Sequence, residues 1–349
     1  MFNLESLVRS NIKKLTPYSS ARDEFSGEAS VFLDANENAL GSPLLKWYNR
    51  YPDPMQWKVK EKISFIKKLS KENIFLGNGS DEPIDILLRC FCEPAMDEVI
   101  VMPPTYGMYE VYANVNNVVV NKVPLTKDYQ IDLEALENAI KPSTKIIWIC
   151  SPNNPTGNSL DMQSIEMILN NFDGLVVIDE AYINFSRQKS FVADLNDYPN
   201  LVVLQTLSKA WGLAGIRIGM AFASKEIISY LNKVKAPYNI SVPVQELALK
   251  ALDEVGQVND MIKEIVDARN KLVENLLQLD QVVGINPSDT NFLLVQCKQS
   301  KKLYDFLLTQ GIVVRDRSNV EYCEGCLRIT VGNAKENESL LTAIKSFKS

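Results

Sequence analysis

The sequence predicts an α/β protein built on a mostly parallel sheet. Five short aliphatic runs each stop at a polar or glycine-containing segment, helix-period stretches separate them, and 349 residues supply roughly two domains. Continuous β-branched and aliphatic runs, rather than alternating ones, mark strands buried on both faces. In such sheets ligands bind outside the carboxyl ends of the strands, so the five polar segments are expected to converge on one ligand.

The runs come in this order. Residues 73–76 lead into Gly77-Asn-Gly-Ser-Asp-Glu82, 98–102 into Pro103-Pro-Thr-Tyr106, and 145–150 into Ser151-Pro-Asn-Asn-Pro-Thr-Gly157. Residues 175–178 lead into Asp179-Glu-Ala-Tyr182, and 201–204 into Gln205-Thr-Leu-Ser-Lys209. Helices are expected over 82–91, 132–140 and 162–170. From Val244 the texture becomes long amphipathic helix, with Met261, Ile262, Ile265, Val266, Leu272, Val273, Leu276 and Leu277 at three-to-four spacing. Strand-like runs follow at 291–295, 311–314 and 327–331. A boundary near Ala236-Pro237 divides the chain into an N-terminal segment (1–45), a large domain (46–236) and a small domain (237–349), with the first segment expected to pack on the small domain.

Composition narrows the chemistry. The 46% hydrophobic and 23% charged fractions are those of an ordinary globular protein, and the net charge of −6 argues against a broad footprint for nucleic acid or an anionic membrane. Histidine is absent, which removes every Ser-His-Asp or Cys-His mechanism and every histidine-ligated metal site. Proton transfer near neutral pH then falls to a carboxylate, tyrosine, cysteine or lysine with a shifted pKa. Cys323-Glu-Gly-Cys326 has metal-site spacing, but the other close pair, Cys90 and Cys92, lies in an apolar helical run, so reduced buried thiols and no metal are expected. The first residues lack an apolar secretory core and no stretch approaches the roughly 18 apolar residues of a spanning helix, so a soluble cytoplasmic protein is expected.

Two segments carry the chemistry. Gly77-Asn-Gly79-Ser-Asp-Glu82 lies between a strand and a helix, the geometry in which backbone N–H groups can cradle phosphate, although standing alone it reads rather as a strand-to-helix turn. It is not a dinucleotide fingerprint, because Glu82 occupies the third glycine position, and no G-x-x-x-x-G-K-[ST] occurs. Residues 206–219 set Thr206, Ser208, Lys209 and Arg217 in a glycine-rich loop before a buried strand, which holds Lys209 and Arg217 near the interior.

Ser208-Lys209 with Arg217 eight residues on, Asp179-Glu-Ala-Tyr182 and Ser151-Pro-Asn-Asn154-Pro-Thr-Gly157 together resemble the aspartate-aminotransferase superfamily of pyridoxal-phosphate enzymes. Within it, the chain is similar to the histidinol-phosphate aminotransferases through Leu33-Asp-Ala-Asn36-Glu-Asn38, Asn49-Arg-Tyr51-Pro-Asp-Pro54, Gly79-Ser-Asp-Glu82 and Cys326-Leu-Arg328-Ile-Thr-Val-Gly332. The similarity covers nearly the whole chain. It departs at Ala39, where that family usually has proline.

The resemblance implies fold type I, with a seven-stranded mostly parallel sheet in the large domain and a smaller α+β domain. It implies that Lys209 condenses with the cofactor aldehyde and later moves the reacting proton, while Asp179 pairs with the pyridine nitrogen. Asn154 and Tyr182 would bond the phenolic oxygen and Tyr106 would stack on the ring, with core packing as the alternative for Tyr106. Gly79, Ser80, Asp81, Thr206, Ser208 and Arg217 would hold the phosphate, helped by Tyr51 from the neighbouring subunit of a homodimer. Arg328, assisted by Arg315, Tyr18, Asn36 and Asn154, would bind the substrate, the glutamate carboxylate and the phosphate of histidinol phosphate alike. A structural salt bridge is the alternative for Arg315, and Arg317 is expected to face solvent. The activity implied is amino transfer between histidinol phosphate and 2-oxoglutarate. An aromatic aminotransferase or threonine-phosphate decarboxylase on the same scaffold, a cofactor-binding regulator without turnover, and a dehydrogenase are the alternatives.

Overall fold

The computed structural model describes residues 2–18 and 30–348. After two short helices, α1 (Leu4–Leu7) and α2 (Ser10–Lys14), the chain runs through α3 (Trp57–Lys67), β1 (Ile74–Asn78), α4 (Asp81–Phe91), β2 (Glu98–Val101), α5 (Met108–Val115) and β3 (Val119–Lys122). It continues through α6 (Leu133–Ala139), β4 (Thr144–Cys150), α7 (Met162–Asn171), β5 (Leu175–Asp179), β6 (Leu201–Thr206), β7 (Ile218–Ala223) and α8 (Lys225–Val234). The remainder is α9 (Val242–Ala251), α10 (Val255–Leu276), β8 (Val282–Ile285), β9 (Phe292–Cys297), α11 (Ser300–Thr309), β10 (Arg315–Asp316), β11 (Cys326–Thr330) and α12 (Ala334–Ser346).

Seven strands form one sheet in the order β1-β7-β6-β5-β4-β2-β3, and β7 alone runs against its neighbours. The central strands are buried along their whole length apart from Lys145 near the start of β4, as their aliphatic sequences require. Two apolar layers cover the sheet. One joins α3, α7 and α9 to one face through Ile63, Ile165 and Ala248; the other joins α4, α5 and α8 to the opposite face through Leu87, Tyr109 and Leu231. A second, antiparallel sheet, β10-β11-β9-β8, packs on α10, α11 and α12 through Leu272, Leu303 and Ile344.

Two expectations about domain limits are corrected. Residues 2–15 do not pack on the smaller sheet: Leu7, Val8 and Ile12 are buried against the layer of α4 and α8, Arg9 bonds to Cys90 O and Glu93, and Tyr230 donates to Glu5. The division near Ala236-Pro237 also falls too early. Helix α9 is buried against the large sheet through Ala248, and Leu252 just after it belongs to the same core, so the change of core comes between Leu252 and Ile262. The apolar run 311–314 forms no ladder; pairing starts at Arg315, opposite Arg328, because Ile312 and Val314 are used in packing against the helices.

Candidate active site

The expected convergence is present. A cleft of about 640 Å³ opens at the carboxyl ends of the parallel strands, lined among others by Ser80, Asp81, Tyr106, Asn154, Asp179, Tyr182, Thr206, Ser208, Lys209, Arg217, Arg315 and Arg328.

One end is an anion cradle. Gly79 turns the chain out of β1 with φ +70° and its N–H donates to Arg217 O at 3.0 Å. Gly219 on β7 lies so close to this turn that a Cβ there would collide with the backbone of Gly79 and Ser80. Ser80 begins α4 without a side-chain cap, which leaves the amides of the first turn available to a ligand. Arg217, itself at φ +53°, donates to Ser208 Oγ at 3.2 Å and to Asp81 Oδ2 at 3.4 Å. Tyr106 donates to the other oxygen of Asp81 at 3.1 Å, and Thr206 Oγ1 accepts from Ser208 N at 3.0 Å.

The floor is Asp179, the last residue of β5. It is buried, accepts from Tyr109 Oη at 2.7 Å and from Ala181 N at 3.0 Å, and burial raises its pKa to about 6 despite those two bonds. Lys209 projects into the cleft with its ammonium 5.6 Å from the ring centre of Tyr182. Desolvation, then Arg328 and Arg217, lower its pKa against the opposing pull of Asp179. Tyr182 is held edge-on to Phe292, 5.2 Å away, and its phenol is pushed up chiefly by burial.

The opposite wall comes from the small sheet. Arg328 Nη1 donates to Asn154 Oδ1 at 2.5 Å and lies over Phe292. Arg315 faces Arg328 across the ladder, and among the described residues no carboxylate pairs with either. Arg317 is the correction here: it lines the cleft instead of facing solvent, because it lies two residues from Arg315 on the same side of the ribbon. Asn153 ties the two nearest loops together, donating to Pro104 O at 2.8 Å and to Thr156 Oγ1 at 2.7 Å, which fixes Asn154 beside Tyr106.

Three expected residues do not line the cleft of this chain. Tyr18 is exposed, as is Asn36, which has φ +52°; Tyr51 is half exposed and stacks on Tyr238 at 4.5 Å. Sequence reading also missed Tyr109, whose phenol is fully buried between Asp179 and the stacked ring of Trp148. A buried strand-end aspartate demands a donor, and that demand was the available signal. For Arg317 the signal was the strand period of two.

Residues 45–344 match the family described as aminotransferase class I and II. The chain belongs to that family. Among its curated relatives, the histidinol-phosphate aminotransferase of Parabacteroides distasonis is 55% identical with 100% of both chains covered, and that of Cytophaga hutchinsonii is 53% identical with 99% of both covered. The crystal structure of the histidinol-phosphate aminotransferase from Clostridium acetobutylicum aligns with a TM-score of 0.79 at 26% identity, covering 85% of this chain and 90% of that one. The fold is therefore fold type I of the pyridoxal-phosphate enzymes, and the aminotransferase is pyridoxal-phosphate dependent. The residues present fit that cofactor: uncapped amides and Arg217 suit a phosphate, and a buried carboxylate without a cation in contact suits a protonated pyridine nitrogen.

Proposed function

We propose that the chain transfers an amino group reversibly between L-histidinol phosphate and 2-oxoglutarate, giving imidazole-acetol phosphate and L-glutamate in L-histidine biosynthesis. The observation that carries this reading is the pair Arg315 and Arg328, without a carboxylate partner among the described residues, lining one cleft with Lys209. The full-length relatives of that name support it.

Pyridoxal phosphate, when bound, supplies an electron sink for the carbanion that forms at the substrate's amino-bearing carbon. Lys209 takes the proton from that carbon and returns it; its lowered pKa leaves more of the amine neutral and able to act as a base. Asp179 holds a negative charge at the ring nitrogen's place, with Tyr109 fixing its orientation. Arg217, Ser80, Ser208, Thr206, the Asp81 N–H and the Gly79 turn would hold the phosphate, Tyr106 would pack on the ring, and Asn154 and Tyr182 would donate to the ring oxygen. Arg328 and Arg315 grip the anionic end of each substrate in turn.

The protein works as a cytoplasmic homodimer in which Tyr51 reaches the neighbouring site. Support comes from the exposed apolar side chains of the segment before α3, including Leu33, Leu40, Leu45 and Trp47. The test is turnover by purified protein of L-histidinol phosphate, L-phenylalanine and threonine phosphate. L-Histidinol phosphate should have the highest kcat/KM, and finding it the poorest of the three overturns the assignment.

A further inference from the structure

The small-sheet wall carries one cation more than a carboxylate needs. Arg315 and Arg317 project to the same side of β10 and its continuation, Arg315 lies opposite Arg328 in the ladder, and all three line the cleft. Arg317 is fixed at its backbone by a bond from its N–H to Cys326 O at 3.0 Å. Its Nε is buried and has no hydrogen-bond partner. The nearest acid, Asp316, is committed to Ser318, accepting from its N–H at 2.9 Å and from its hydroxyl at 2.6 Å. Among the described residues no carboxylate forms an ion pair with Arg315, Arg317 or Arg328.

Three guanidinium groups on one ribbon repel one another, and a buried unpartnered donor is costly. An incoming anion relieves both. A carboxylate brings one negative charge and two acceptor oxygens; a phosphate monoester brings about 1.5 to 2 charges and three oxygens at neutral pH. Resting on the reading given above, we infer that Arg317 is a specificity-determining residue, a third guanidinium that makes this wall favour a phosphate monoester over a carboxylate.

The experiment compares the holoenzyme with Arg317→Gln and Arg317→Lys. Loss of one charge-assisted bond should raise KM for L-histidinol phosphate about 10- to 100-fold in R317Q, with KM for L-glutamate changed no more than about 3-fold. R317K, which keeps the charge but not the fork, should fall between R317Q and wild type, and it serves as the informative variant if R317Q does not fold. A second arm does not depend on the identity of the amino donor: inorganic phosphate is titrated as a competitive inhibitor of the glutamate half-reaction, and R317Q should weaken it at least about tenfold. If wild type rejects L-histidinol phosphate but binds phosphate through Arg317, the substrate assignment fails and the anion subsite stands. Equal losses for ester and glutamate, unchanged KM and Ki in both variants, or no phosphate inhibition of wild type overturns the inference.

Discussion

Asp179 and Tyr109 show how much one hydrogen bond controls at the floor of the cleft. Burial raises Asp179 from 3.8 to about 6, so between those pH values the folded chain keeps a proton that the unfolded chain has released. The cofactor-free protein should therefore lose stability as pH rises from about 4 to 6, by about 3 kcal/mol in total from this group. Urea unfolding of wild type against Asp179→Asn from pH 4 to 8 isolates that slope, because the buried Glu180 is common to both. Tyr109→Phe removes the donor to Asp179 Oδ2 and should cost about 1–3 kcal/mol at pH 8, less at pH 5 where the carboxyl is protonated. Cofactor affinity, read by spectral titration of the cofactor-free protein, should fall with it, whereas a purely packing role for Tyr109 predicts no pH dependence. Lys209→Ala should abolish both the covalent chromophore and transamination. Asp179, Lys209 and Arg217 were legible because each ends a strand or interrupts a glycine loop. Tyr109 was not, since its partner lies 70 residues further along the chain, at the end of β5, and a helix pattern marks it only as buried.

Among the elements, the strands buried on both faces were legible from their continuous aliphatic runs. Strands β3 and β8 were not, because each mixes inward residues with exposed ones, Val119 and Val283 among them. Helix α9 misled the domain limit for a related reason: amphipathicity shows that a helix buries a face, not which core receives it. The close approach of β7 to the Gly79 turn gives a sharp test. Gly219→Ala places a methyl group against backbone that has no side chain to swing aside. It should cost about 1–3 kcal/mol in unfolding experiments and weaken cofactor binding by displacing Ser80. Unchanged affinity in a folded G219A protein would mean that the turn is not part of the anion cradle.

For the whole molecule, the chain supplies most of a site and leaves Tyr18, Asn36 and Tyr51 outside it. Sedimentation should give twice the 39.3 kDa chain mass. Mixing inactive Lys209→Ala and Tyr51→Ala chains should restore about a quarter of wild-type activity, since half of the dimers are hybrids with one intact site each. The bond between Arg328 and Asn154 gives the two lobes a shared ledger of contacts. A ligand that captures the Arg328 fork competes with the Asn154 carbonyl, freeing that amide to turn toward whatever lies beneath it. Filling the outer pocket thus re-tunes the inner one, and by reciprocity whatever engages the Asn154 amide alters how tightly the arginine can be held.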